Sequence, residues 1–108
     1  MDLTWVALER FERETGQPHH TVLRFRTDNP LLSSADLAEQ LGAKLGRTYG
    51  VHAVRQTLHR AREKFADLLL DELVRSLERP SADRLEEELT DLGLLSYCRS
   101  ALQRRRGI

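Results

Sequence analysis

The sequence predicts an all-α protein, a helix-turn-helix bundle of five or six helices built around one long helix. Three observations predict it. Leu, Ala, Glu and Arg are abundant, and all are good helix formers. Residues 51–77 run without Gly or Pro, and Val51, Val54, Leu58, Ala61, Phe65 and Leu68 recur in them at steps of three and four, the helical period. No stretch shows the sustained two-residue alternation of a half-buried strand.

The elements follow in order. Residues 3–14 form a first amphipathic helix with Leu3, Val6 or Ala7, Leu8 and Phe11 as its apolar positions and Trp5 as an anchor. Gly16 and Pro18 close it. His19, His20 and Thr21 open a short second helix over Thr21–Thr27, which Asp28-Asn29-Pro30 stops. Ser33 caps a third helix, with Asp36 in its first turn and Leu32 as a staple before the cap. Leu37, Ala38, Leu41 and Leu45 form its inner face; Gly42 lies within it or ends it, and Gly46 is its stop. A turn over Arg47-Thr48-Tyr49-Gly50 leads into the long fourth helix, which ends near Pro80. Ser81 caps a fifth helix from Ala82 to about Asp91, with Leu85, Leu89 and Leu92 as its buried edge. Leu94 to about Arg105 forms a sixth, with Leu95, Cys98 and Leu102 inward, before a frayed basic tail from Arg104 to Ile108. Leu68, Leu69, Leu73 and Leu77 are expected to seat the last two helices. Residues 1–77 then form one domain, and residues 78–108 an acidic helical extension packed on the same core.

The 108 residues carry 17 basic and 17 acidic side chains, so the net charge is zero. The charge is nevertheless segregated. Residues 51–66 hold four Lys/Arg against one acid, whereas residues 67–95 hold three against nine. A local basic surface therefore sits inside a neutral chain. No apolar run approaches the roughly 18 residues of a membrane span, and the N-terminus lacks the pattern of a secretory signal. A lone Cys98 allows no internal disulfide, so a cytoplasmic location without a membrane partner is expected.

The third and fourth helices, joined by a glycine-containing turn, have the outline of a helix-turn-helix. At about 100° per residue, His52, Arg55, Gln56, His59 and Arg60 share a face opposite Val54, Leu58, Ala61 and Phe65. Arg can bond guanine through two donors, and Gln can bond adenine in the same way. Thr57, Arg62 and Lys64 flank that face and suit phosphates, and Arg47 in the turn suits the same task. A merely solvated helix surface is the competing reading.

Asp36-Leu37-Ala38-Glu39-Gln40-Leu41-Gly42, followed by Val54-Arg55-Gln56-Thr57-Leu58-His59-Arg60-Ala61-Arg62-Glu63-Lys64-Phe65, resembles region four of bacterial RNA polymerase sigma factors of the extracytoplasmic-function class. The resemblance covers roughly residues 20–72. It implies a −35-type promoter element as ligand, read by Arg55, Gln56, His59 and Arg60. It also implies docking on the β flap of the RNA polymerase core, and an anti-sigma regulator as a further partner. More residues separate Gly42 from Val54 than in the family pattern, so the third helix is expected to run about a turn longer. No segment resembles the family's region two; the chain reads either as a piece of a longer protein or as a solitary module.

An alternative function uses the acidic, Leu-rich C-terminal half as a protein-interaction or regulatory module with little DNA binding. His19 and His20, adjacent on a loop without a Cys, Asp or Glu cluster, do not suggest a metal site, and no cofactor is expected. Cys98 on an apolar face reads as an inert buried thiol, and Glu86-Glu87-Glu88 as a solvated face. No nucleophile–base pair or phosphate-binding glycine loop is present, so enzymatic activity is not expected.

Overall fold

Six helices and no strand make up the regular structure of the described residues: α1 (Asp2–Thr15), α2 (His19–Asp28), α3 (Ser34–Leu45), α4 (Val51–Ser76), α5 (Ala82–Asp91) and α6 (Leu95–Arg106). The computed structural model describes residues 2–77 and 81–106. The expected stop at Pro80, and Gly107 and Ile108 of the basic tail, lie outside the described residues. The chain forms two compact units, Leu8–Arg62 and Met1–Ala7 with Glu63–Ile108, so both boundaries fall inside helices.

In the Leu8–Arg62 unit, Gly16 ends α1 with a positive φ of 75°, which a residue with a Cβ adopts only under strain. The next helix starts two residues earlier than the sequence suggests. His19 and His20 belong to α2 rather than to a loop, and His19 is buried with its ring 5.3 Å from that of Phe11. Pro18 at the N-cap supplies no side-chain acceptor. Glu12 takes over that role from α1: its carboxylate accepts from the Thr21 backbone N–H at 2.8 Å and from the Thr21 hydroxyl at 2.7 Å. An anion at a helix start also meets the favourable end of the helix dipole. Glu12→Ala is expected to cost about 1–3 kcal/mol in urea unfolding, because two charge-assisted bonds disappear and an N-terminal N–H loses its acceptor. Glu12→Gln should cost less.

Arg26 straps the α2–α3 connection, donating to the Leu32 carbonyl at 2.6 Å and the Pro30 carbonyl at 3.3 Å. Ser33 caps α3 by accepting from the Asp36 N–H at 3.1 Å. At the other end Gly46 adopts the left-handed conformation, with φ 68° and ψ 30°, and its N–H bonds the Gly42 carbonyl. Gly42 is inside α3 for a steric reason. A Cβ there would lie 2.7 Å from the Arg47 carbonyl oxygen, so only glycine lets the turn fold back this closely. Leu8, Val22, Leu23, Leu37, Ala38, Leu41, Val54, Leu58 and Ala61 are the buried apolar side chains of this unit, with Tyr49 beside them at 9% exposure.

The other unit has its own core. Ala66, Leu69 and Leu70 of α4 cluster with Leu85 and Leu89 of α5 and with Cys98, Ala101 and Leu102 of α6; Leu73, Val74, Leu77, Leu94 and Leu95 pack against them. The expected seat is therefore occupied, with one change: Leu70 is fully buried where Leu68 was expected, and Leu68 is only half-buried. Ser81 caps α5 by accepting from the Arg84 N–H at 3.2 Å. Leu92 does not join the buried edge and is 52% exposed. Its helix stops at Asp91, so Leu92 leaves the helical period and enters the turn around Gly93, while Leu94 packs inward.

Two further expectations are corrected. Leu3 and Val6 are 67% and 51% exposed. The stripe through Leu8 and Phe11 continues, four residues earlier, to Thr4 and Ala7, and Thr4 is the buried residue of this turn. Trp5 packs its ring 4.9 Å from Phe65, whose other neighbour is Tyr97 at 6.1 Å, edge-on. The arginines near the C-terminus are not a frayed tail. Arg104 bonds the Asp67 carboxylate at 3.1 Å, and Arg105 bonds the Asp71 carboxylate at 2.6 Å and the Asp67 carbonyl at 3.1 Å. These partly exposed pairs add little stability each, but they account for Asp67 and Asp71 in the back half of α4.

Cys98 is fully buried, and burial first, then the nearby Asp67 carboxylate, pushes its thiol pKa up. Nucleophilic attack needs the thiolate. A thiol reagent at neutral pH is therefore expected to leave Cys98 unlabelled in the native protein and to label it promptly in denaturant; rapid native labelling would contradict this environment.

Candidate nucleic-acid interface

The first three turns of α4 carry the candidate site. Val54, Leu58 and Ala61 are buried, which fixes the rotation of the helix. Rotation then places His52, Arg55, Gln56, His59, Arg60 and Arg62 on the exposed side, with Thr57 half-buried at its margin. Lys64 is half-buried and lies in the other unit, so the candidate surface comprises Arg47 and residues 52–62. That part of α4 contains no Asp or Glu.

Arg24, Arg75, Arg84, Arg104 and Arg105 each pair with a carboxylate, the first with Asp28 at 3.5 Å and the second with Glu72 at 2.7 Å. Arg55, Arg60 and Arg62 take part in none of the ion pairs found among the described residues. Among the described residues Arg10, Arg13 and Arg99 are also exposed and outside the ion pairs found, so what sets this surface apart is that three such arginines lie within eight residues of one helix. Three exposed cations outside those ion pairs thus lie within residues 55–62 of one helix, an arrangement that attracts a polyanion. Gln56 stands among them with its amide exposed.

The turn between α3 and α4 adds a fourth cation. Arg47 is exposed, its guanidinium lies 4.4 Å from the centre of the Tyr49 ring, and its Nη2 donates to the Tyr49 hydroxyl. An open groove runs beside it, with Ala38, Glu39 and Gly42 of α3 on one wall and Arg47, Tyr49 and Val51 on the other. Among the described residues no group of three His, Cys, Asp or Glu is placed to hold a metal ion, and no helix is long and apolar enough to cross a membrane.

Two features escape a sequence reading of this region. Tyr49 reads, with Arg47, as an extra contact to the DNA backbone from the enlarged turn, yet it is buried and partners Arg47. The pairing of Arg104 and Arg105 is also hidden, although Asp67 and Asp71, four apart on one helix, match them. Comparison of the chain with family models, curated proteins and solved structures finds no match.

Proposed function

We propose that this protein binds double-stranded DNA through α3 and α4 as a helix-turn-helix of the sigma region-four type, acting in transcription initiation with promoter DNA and the RNA polymerase core as partners. One observation carries this reading: Arg55, Arg60 and Arg62, in none of the ion pairs found among the described residues, are exposed with Gln56 at the start of α4, in a stretch (residues 51–62) that holds no Asp or Glu. In a helix-turn-helix that part of the second helix reaches base edges in the major groove, while flanking cations hold phosphates. Arg55, Gln56, His59 and Arg60 would face the bases, with His52, Thr57, Arg62 and Arg47 at the backbone.

Fluorescence-anisotropy titration of labelled duplex DNA at low salt tests it. Binding that weakens as salt rises, with the shallow slope of a few phosphate contacts, is the expected result; no binding to random duplex, and no enriched site from a randomised pool, would discard the reading.

A second reading, a protein-interaction module in the C-terminal half, draws on the exposed acidic side of α5, where Asp83, Glu87 and Asp91 stand near Leu92 in sequence. Most of the leucines of that half are already consumed in its own core. Light scattering distinguishes the two readings: self-association together with absence of DNA binding would favour the second.

A further inference from the structure

We infer that Tyr49 is a positioning residue that holds the Arg47 guanidinium ready for a phosphodiester group of the DNA backbone. The inference rests on the DNA-binding reading and adds to it a residue that does not itself touch the ligand.

Residue 47 is fixed at both ends. Its backbone N–H donates to the Gly42 carbonyl at 3.0 Å, and its carbonyl oxygen occupies the space a Cβ on Gly42 would need. Its side chain lies over the Tyr49 ring at 4.4 Å and bonds the Tyr49 hydroxyl. Tyr49 is itself only 9% exposed, so the ring offers a firm base. Arg47, by contrast, is exposed.

The chemistry of the partner decides what the contact is for. A carboxylate would fix Arg47 and also neutralise it, as Asp71 does for Arg105. Tyr49 fixes it through a ring face and a neutral hydroxyl, so the full positive charge remains. One hydroxyl and one ring face engage only part of a guanidinium, whose five donors leave others directed at solvent. A cation ordered in advance loses less freedom when an anion arrives, a saving of roughly two- to tenfold in affinity for one long side chain. Phosphate contacts position a protein on DNA without reading sequence, so the effect should appear on any duplex.

The experiment titrates a mixed-sequence duplex against the wild type, Arg47→Ala, Tyr49→Phe and the double variant, each at several salt concentrations. Arg47→Ala is expected to weaken binding several-fold and to reduce the slope of log K against log salt by about 0.9, one phosphate contact. Tyr49→Phe keeps the ring and the fold but removes the hydroxyl, and should weaken binding about two- to fivefold. The same substitution placed on Arg47→Ala should change nothing further. A merely structural Tyr49 would weaken both backgrounds equally, and that result overturns the inference. So does an unchanged salt slope in Arg47→Ala.

A second measurement needs no DNA. The Arg47 δ-methylene protons should show an upfield ring-current shift in the NMR spectrum of the free wild type, and Tyr49→Leu should abolish it; a wild type without the shift overturns the inference. Failure of the wild type to bind any duplex is a different result: it removes the DNA-binding reading and this inference with it. Duplex binding that survives Arg47→Ala unchanged removes the inference alone.

Discussion

Leu89→Ala is expected to lower stability by about 2–5 kcal/mol, the usual range for truncating a fully enclosed leucine. Leu89 is fully buried, and it stands in a cluster to which α4, α5 and α6 all contribute. Removing its side chain both loses apolar burial and leaves a void that three helices border. A domain of this size has a total stability of about 5–15 kcal/mol, so the variant sits near the limit of folding. Its melting midpoint should fall by roughly 10–20 °C. Leu92→Ala provides the contrast, because Leu92 is three residues away in sequence but 52% exposed. Its expected change is within about 0.5 kcal/mol. Equal effects at the two positions would show that α5 is not seated by Leu89.

The helix ends marked by a side-chain cap or a stop glycine were legible because local chemistry decides them, whereas the start of α2, behind Pro18, was not. Ser33 and Ser81 accept the N–H bonds expected of caps, and Gly46 takes the left-handed conformation of a stop. The rotation of α4 was legible too, since its apolar residues are large, numerous and regularly spaced. α1 has a weaker signal. Leu3 and Val6 or Ala7 suggested one face with Leu8 and Phe11, but the buried residue of the first turn is Thr4, whose small polar side chain gives no hydropathy signal. Contacts between elements distant in sequence were not legible. Glu12 as a cap for α2, Arg104 on Asp67 and Arg105 on Asp71 depend on where helices meet, which no local pattern encodes. The candidate site follows the same division. Its exposed side was readable from the period of α4, whereas the burial of Tyr49 and its hold on Arg47 depend on how closely the turn approaches Gly42.

Arg55→Ala and Arg60→Ala are each expected to weaken binding to a preferred duplex site by about 1–3 kcal/mol, the worth of a good arginine–base pairing. The preferred site is obtained by selection from a randomised pool. The prediction follows from exposure and charge together: both residues are exposed where Val54 and Leu58 are buried, and neither takes part in an ion pair found among the described residues. Arg75→Ala and Arg84→Ala serve as charge-matched controls, because those guanidiniums already pair with Glu72 and Glu87. If long-range charge alone governed binding, all four variants would weaken it alike, and the loss would be the same on random duplex. If Arg55 and Arg60 read bases, their loss is larger on the selected site than on random duplex, and the specificity ratio falls. Each phosphate contact adds about 0.9 to the salt slope, so the few cations on this surface imply a shallow dependence for a DNA-binding protein. A double variant, Arg55→Ala with Arg60→Ala, that binds the selected site as tightly as the wild type would remove the start of α4 as the reading surface, whatever else in the chain binds DNA.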